Sequence, residues 1–177
     1  MRLQILVVTT LLLLPSLSGC VEEAAEEQDF PQFSAVADDE LTYNNSIMAG
    51  APYIVMFSAE WCNSPCYSTL HSIWNTQAEL PVLVMSTDPA KRAGGLTLQQ
   101  WHESANAHDD EENDTGIELS TYAFMKGDDT ALEMDITTPG TTFFINSAGI
   151  ITDRHEGLLD DQELISSYWE SASQEPV

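Results

Sequence analysis

Two cysteines stand four residues apart in Cys62-Asn63-Ser64-Pro65-Cys66, and no other segment concentrates reactive chemistry so tightly. The pair falls between an apolar, β-rich run, Pro52-Tyr53-Ile54-Val55-Met56-Phe57, and a stretch with helical spacing through Leu70, Ile73, Trp74 and Gln77. Two residues four apart in a helical turn are about 6 Å apart by rise alone, inside the usual Cα range of a disulfide. A local, reversible bridge is therefore feasible. Amide N–H groups at a helix start stabilise an anion, so a thiol there ionises more readily and becomes a better nucleophile. A static staple is the competing role, but so short a loop removes little unfolded-state entropy. The spacing favours redox or metal chemistry.

Other constellations are weaker. His102-Glu103 begins like a zinc-protease helix, but Asn106 stands where the second histidine is needed. His71, His102, His108 and His155 are scattered and read as surface or capping residues. Asp109-Asp110-Glu111-Glu112-Asn113-Asp114 fits no calcium-loop register, because Asp114 or Tyr122 falls where glycine or glutamate is required. It reads as a solvated loop. Trp74, Trp101 and Trp169 have the spacing of core or rim aromatics. Trp61, beside Cys62, can pack on the reactive site and touch a substrate chain.

The elements that must position the cysteines can be read around them. A strand over 52–57 leads into the cysteine turn, and a helix follows over 67–77. A second buried strand covers 81–87, and Thr97 caps a helix running through Trp101 to about residue 107. The stretch 116–135 is not assignable from its pattern. Thr142-Phe143-Phe144-Ile145 form a strand, Ser147-Ala148-Gly149 turn the chain, and residues 150–155 return as a hairpin partner. A last helix begins near Asp160 with Leu164, Ile165, Tyr168 and Trp169 on its inner face. This order predicts an α/β fold with a mixed central sheet flanked by helices.

The chain has 177 residues, 43% of them apolar, which suits one domain with a real core. Five Lys and Arg oppose 29 Asp and Glu, a formal charge of -24. Such a surface repels phosphate backbones, which excludes nucleic acid as a partner. It also suits solubility in salty water, where charges are screened. Arg2 and the apolar run over 3–14 resemble an export signal too short for a membrane span. Residues 20–40 read as an acidic tether: Glu22, Glu23, Glu26, Glu27 and Asp29 repel one another, and Pro31 opposes helix. The folded domain is then expected over 41–177.

Two resemblances sharpen these readings. Leu17-Ser18-Gly19-Cys20 resembles the lipobox of prokaryotic lipoproteins. It implies a signal peptide over 1–19, lipidation of Cys20, an extracytoplasmic location and membrane attachment through the lipid. Phe57-Ser58-Ala59-Glu60-Trp61-Cys62 and Pro65-Cys66 resemble the active-site approach and closing Pro-Cys of the thioredoxin superfamily. Pro139 before the 142–145 strand, Gly149, Gly157 and the terminal helix extend that resemblance over about residues 51–169. It is most similar to the extracytoplasmic branch of the superfamily. The resemblance implies a redox-active Cys62–Cys66 disulfide. In that reading Cys62 attacks, Cys66 resolves, and Trp61, Pro65 and Pro139 face the substrate. The partners are protein thiols and disulfides, and no cofactor is required.

Three departures stand out. One residue is inserted to give Cys-x-x-x-Cys. Met56 replaces the buried acid that cytoplasmic thioredoxins keep six residues before the first cysteine. Pro139-Gly140-Thr141-Thr142 is one residue longer than the usual Pro-Thr-x-Phe, which leaves the isomer of the Pro139 peptide bond open. The inserted residue is also the spacing of Sco-like copper-handling proteins. Two soft thiolates suit Cu(I), but no histidine lies between Asp109 and Asn146, where that family keeps its ligand. Thiol–disulfide exchange is the leading expectation, with Sco-like copper binding or a non-catalytic thioredoxin-fold binding module as alternatives.

Overall fold

The computed structural model describes residues 28–88, 95–109 and 117–174. The export signal, Cys20, residues 21–27 and the acidic loop from residue 110 lie outside them. The chain opens with β1 (Gln28–Asp29), β2 (Ser34–Val36), β3 (Thr42–Asn44) and the short α1 (Asn45–Met48). Then come β4 (Tyr53–Ser58), α2 (Ser64–Thr76), β5 (Val82–Ser86), α3 (Leu98–Asn106), β6 (Tyr122–Lys126) and α4 (Asp128–Glu133). A hairpin of β7 (Thr141–Ile145) and β8 (Ile150–Glu156) and the helix α5 (Gln162–Ser173) complete the fold.

The main sheet runs β1-β8-β7-β4-β5-β6, and β2 and β3 form a separate ribbon. β4, β5 and β6 are parallel, whereas β7 runs antiparallel to β4 and β8 antiparallel to β7. β4 and β5 are buried on both faces, which explains their continuous rather than alternating apolar sequence. Alternate side chains still part to opposite layers. Ile54, Met56, Val84, Phe124 and Phe144 join Leu70 and Ile73 of α2, Trp101 of α3 and Ile165 of α5. Tyr53, Val55, Phe57, Leu83, Met125 and Phe143 meet Ala131 of α4 and the N-terminal segment on the other face. This is the mixed α/β architecture expected from the sequence.

The N-terminal boundary is corrected. The chain is already part of the fold at Gln28, because β1 pairs with β8 and the Phe30 N–H donates to the Gly149 carbonyl at 2.9 Å. Phe30, Phe33 and Ala37 are core residues, and Phe30 packs against the rings of Phe33, Tyr53, Phe57 and Phe143. Burial of these side chains covers a sheet face that would otherwise be bare, and outweighs the mutual repulsion of the nearby acids. Asp38 adds a polar clasp: Oδ1 accepts the Phe124 N–H at 2.8 Å, and Oδ2 lies 2.6 Å from His102 Nδ1.

The unassignable stretch holds β6 and α4. Asp128 and Asp129 occupy the first turn of α4, where the exposed amides favour negative charge. Elsewhere local signals and fold agree. Thr97 and Gln100 form a reciprocal capping box on α3, and Asp161 caps α5.

Candidate redox site

The end of β4 delivers the chain to the cysteines. The turn is closed by the Cys62 N–H donating to the Ala59 carbonyl at 3.0 Å, and α2 begins two residues later. Asn63 precedes the helix but gives no side-chain cap, and Pro65 sits in the first turn with no N–H of its own. The N-cap side chain thus gives the first amides of α2 no acceptor, and Cys62 stands just before that helix start. Tyr67 N–H to Asn63 carbonyl, 2.9 Å, starts the helical ladder.

Cys62 and Cys66 are joined by a disulfide with a Cα–Cα distance of 5.7 Å. The two sulfurs are not equivalent in exposure. Cys62 retains 6% of its surface and Cys66 none, since Cys66 lies one turn into α2 and packs within the layer that holds Met56. Attack from outside therefore meets Cys62 first.

Trp61 stands over this turn with 56% of its surface exposed. Its indole N–H donates to Asp88 Oδ1 at 3.1 Å, while Asp88 Oδ2 accepts the Glu60 N–H at 3.0 Å. Asp88 itself follows β5 and is held by its N–H on Ser86 Oγ at 3.1 Å. Glu60 points inward, where Oε1 pairs with Lys126 at the end of β6 and Oε2 accepts the Leu96 N–H at 2.9 Å. A buried acid two residues before Cys62 is thus neutralised by a cation from two strands away. The sequence reading gave Glu60, Asp88 and Lys126 no part in the site, Glu60 standing there only as one position of the run up to Cys62. The signal was faint: one lysine at the end of an apolar run, in a chain with few cations.

Pro139 lies just before β7, and the Gly140 N–H donates to the Phe57 carbonyl at 2.8 Å, which places Pro139 at the same end of β4 as the disulfide. Among the described residues no peptide bond is cis, so the bond before Pro139 is trans. Gly140 has φ +102° and its carbonyl accepts the Gly157 N–H at 2.7 Å. This backbone conformation needs a residue without Cβ, and accounts for the glycine inserted after the proline. Pro65 is exposed beside the disulfide, and its carbonyl accepts the Thr69 hydroxyl at 2.9 Å.

The histidines are engaged elsewhere. His71 is buried with Nε2 2.7 Å from the Ala105 carbonyl, and His155 Nε2 is 3.0 Å from the Leu158 carbonyl. His108 packs against the rings of Tyr67 and His71. His102 stacks on Phe124, with its two nitrogens facing Asp38 and the Leu119 carbonyl.

No family model matches the sequence, and no curated protein matches it. Solved structures do. The exposed lipoprotein thioredoxin Etrx1 of Streptococcus pneumoniae superposes with a TM-score of 0.54 at 17% identity, covering 79% of this chain and 99% of the other. The dsbF protein of MTB, seen in mixed oxidised and reduced forms, gives 0.56 at 16%, covering 80% and 96%. A SCO1/SenC family lipoprotein from Bacillus anthracis gives 0.55 at 11%, covering 82% and 95%. Shared architecture at such low identity, with a cysteine pair bridged at the junction of β4 and α2, establishes that this chain has the thioredoxin-like fold.

Proposed function

We propose that this protein is an extracytoplasmic thiol–disulfide oxidoreductase held to the membrane through a lipidated Cys20. The observation that carries the redox assignment is the asymmetric Cys62–Cys66 disulfide, its outer sulfur at a helix start beside the exposed Trp61. The lipobox-like sequence supports the anchor, and Cys20 itself lies outside the described residues. In the reduced protein the Cys62 thiolate attacks a substrate disulfide, the substrate S–S bond breaks and a mixed disulfide forms. Cys66 then attacks Cys62, the second substrate sulfur leaves as thiolate, and the Cys62–Cys66 bond is restored. Trp61 offers an apolar platform to the substrate chain, and the segment at Pro139 borders it. Dithiol substrates run the same steps in reverse.

Trapping tests this directly. Cys66→Ser is expected to accumulate proteins in mixed disulfides on Cys62, and Cys62→Ser to accumulate few. Equal trapping, or none with either variant, would overturn the assignment. A mature protein whose mass shows no lipid on Cys20 would remove the anchor.

Sco-like copper handling is the second reading, favoured by the Cys-x-x-x-Cys spacing and the SCO1/SenC neighbour. In that reading Cu(I) is cargo held by the two thiolates. A glutathione redox titration with and without one equivalent of copper separates the two. Tight copper binding with no exchange activity would reverse the order.

A further inference from the structure

Three buried hydroxyls lie on one face of the sheet. Ser58 ends β4, Ser86 ends β5, and Thr142 is the second residue of β7. Ser58 pairs in register with Ser86, and Thr142 with Met56, two residues before Ser58. All three are fully or almost fully shielded, each at 0% exposure. Strand alternation turns them to the face that carries Met56, Val84 and Phe144, the layer into which Cys66 packs.

Two of them have nothing to bond. Ser58 Oγ and Thr142 Oγ1 make no hydrogen bond, whereas Ser86 Oγ accepts the Asp88 N–H. A buried hydroxyl without a partner is costly, about 1–3 kcal/mol, and apolar replacements of similar shape exist for both residues. The same layer has the apolar Met56 in register with Thr142. In the disulfide state Cys66 is neutral and asks nothing of its surroundings. On reduction it becomes a thiol that must ionise in order to attack; the acids facing this layer are Glu60, already paired with Lys126, and Asp153 of β8, in register with Phe144, while the strand residue Met56 carries no charge.

We propose that Ser58 and Thr142 are the hydrogen-bond donors that stabilise the Cys66 thiolate in the reduced protein. The inference rests on the redox reading above and extends it to the resolving step. In that step the Cys66 proton departs to solvent and its thiolate attacks Cys62. The Cys62–substrate bond breaks, and the substrate sulfur leaves reduced while the cysteine pair is oxidised. Donors idle in the disulfide and engaged in the dithiol also favour the reduced form at equilibrium.

The test is a spectroscopic titration of the full chain carrying Cys20→Ser and Cys62→Ser, in which Cys66 is the sole thiol. Thiolate absorbance near 240 nm is followed against pH, with and without Ser58→Ala plus Thr142→Val. Removing both donors is expected to raise the Cys66 midpoint by about one pH unit or more, a tenfold loss of thiolate, the scale of one hydrogen bond to a charged group. Thr142→Ser, which keeps the hydroxyl, should restore most of it, and each single substitution should give a partial shift even where the double variant folds poorly. A midpoint unmoved by both single substitutions overturns the proposal. The titration needs no substrate and no turnover. It can therefore fail while trapping by Cys66→Ser succeeds, or succeed in a protein that traps nothing.

Discussion

Replacing Phe30 with alanine should destabilise the protein by about 4 kcal/mol, within the 3–5 kcal/mol range for a buried Phe. The figure follows from position. Phe30 keeps 2% of its surface and sits among four aromatic rings at centroid distances of 5.9 to 6.4 Å, three of them edge-on. The lost side chain bares the second face of the sheet around Phe57 and Phe143. Backbone pairing of β1 with β8 is too short to hold the segment in place and close the gap. Urea unfolding reads the loss: with a slope of about 2 kcal/mol per M, the midpoint should fall by about 2 M. Val36→Ser, at a side chain 57% exposed, is the control and should move it by less than a quarter of that. Deletion up to Leu41 removes Phe33 and Ala37 as well, and should leave little of a typical 5–15 kcal/mol stability. If Phe30→Ala costs under 1 kcal/mol, the segment is not core and the domain begins near Leu41 after all.

Lys126→Met should cost about 2 kcal/mol, because it strands the Glu60 carboxylate at 5% side-chain exposure; the figure sits below that for fully buried pairs since Lys126 keeps 24%. Chemical unfolding of Glu60→Gln with Lys126→Met should recover part of the loss. Asp88→Ala frees the Trp61 indole and leaves the Glu60 N–H without its acceptor; expected are a several-fold rise in KM for a protein disulfide and about 1–3 kcal/mol of stability lost, and an unchanged KM would refute the platform role of Trp61. Burial raises the Tyr53 phenol to about 12. Above pH 10 the unfolded chain loses this proton and the folded one keeps it, so the stability Tyr53 contributes is intact below pH 10 and falls between 10 and 12 by about 2–3 kcal/mol; Tyr53→Phe should flatten that part of the curve in alkaline unfolding.

Much of the scaffold was legible because its signals are local. An uninterrupted apolar run followed by a cysteine turn and a helical period leaves little freedom in how β4, the turn and α2 connect, and Thr97 with Gln100 marks the start of α3 outright. The arm over 28–40 was not legible because it is short, has no strand or helix period and follows an acidic run, while Phe30 finds most of its partners (Tyr53, Phe57 and Phe143) more than twenty residues away. β6 was hidden for a related reason: Tyr122-Ala123-Phe124-Met125 is too short to separate from a buried helix by pattern, and it becomes a strand only because β5 offers an open edge.

At the site the division is sharper. The cysteines, Trp61 and Pro65 declare themselves by spacing, but the polar groups that govern them come from other strands. Asp88 follows β5, Lys126 ends β6 and Thr142 lies in β7, so only Ser58 and Glu60 share a window of the sequence with the cysteines. Two departures from the familiar pattern gain physical accounts once these strands are assembled. The glycine after Pro139 is required where the backbone turns at positive φ between Phe57 and Gly157. Met56 lies in register with Thr142, so the layer under Cys66 loses a carboxylate yet retains hydroxyls. A carboxylate there would titrate and couple its charge to the thiol, whereas hydroxyls donate without changing charge.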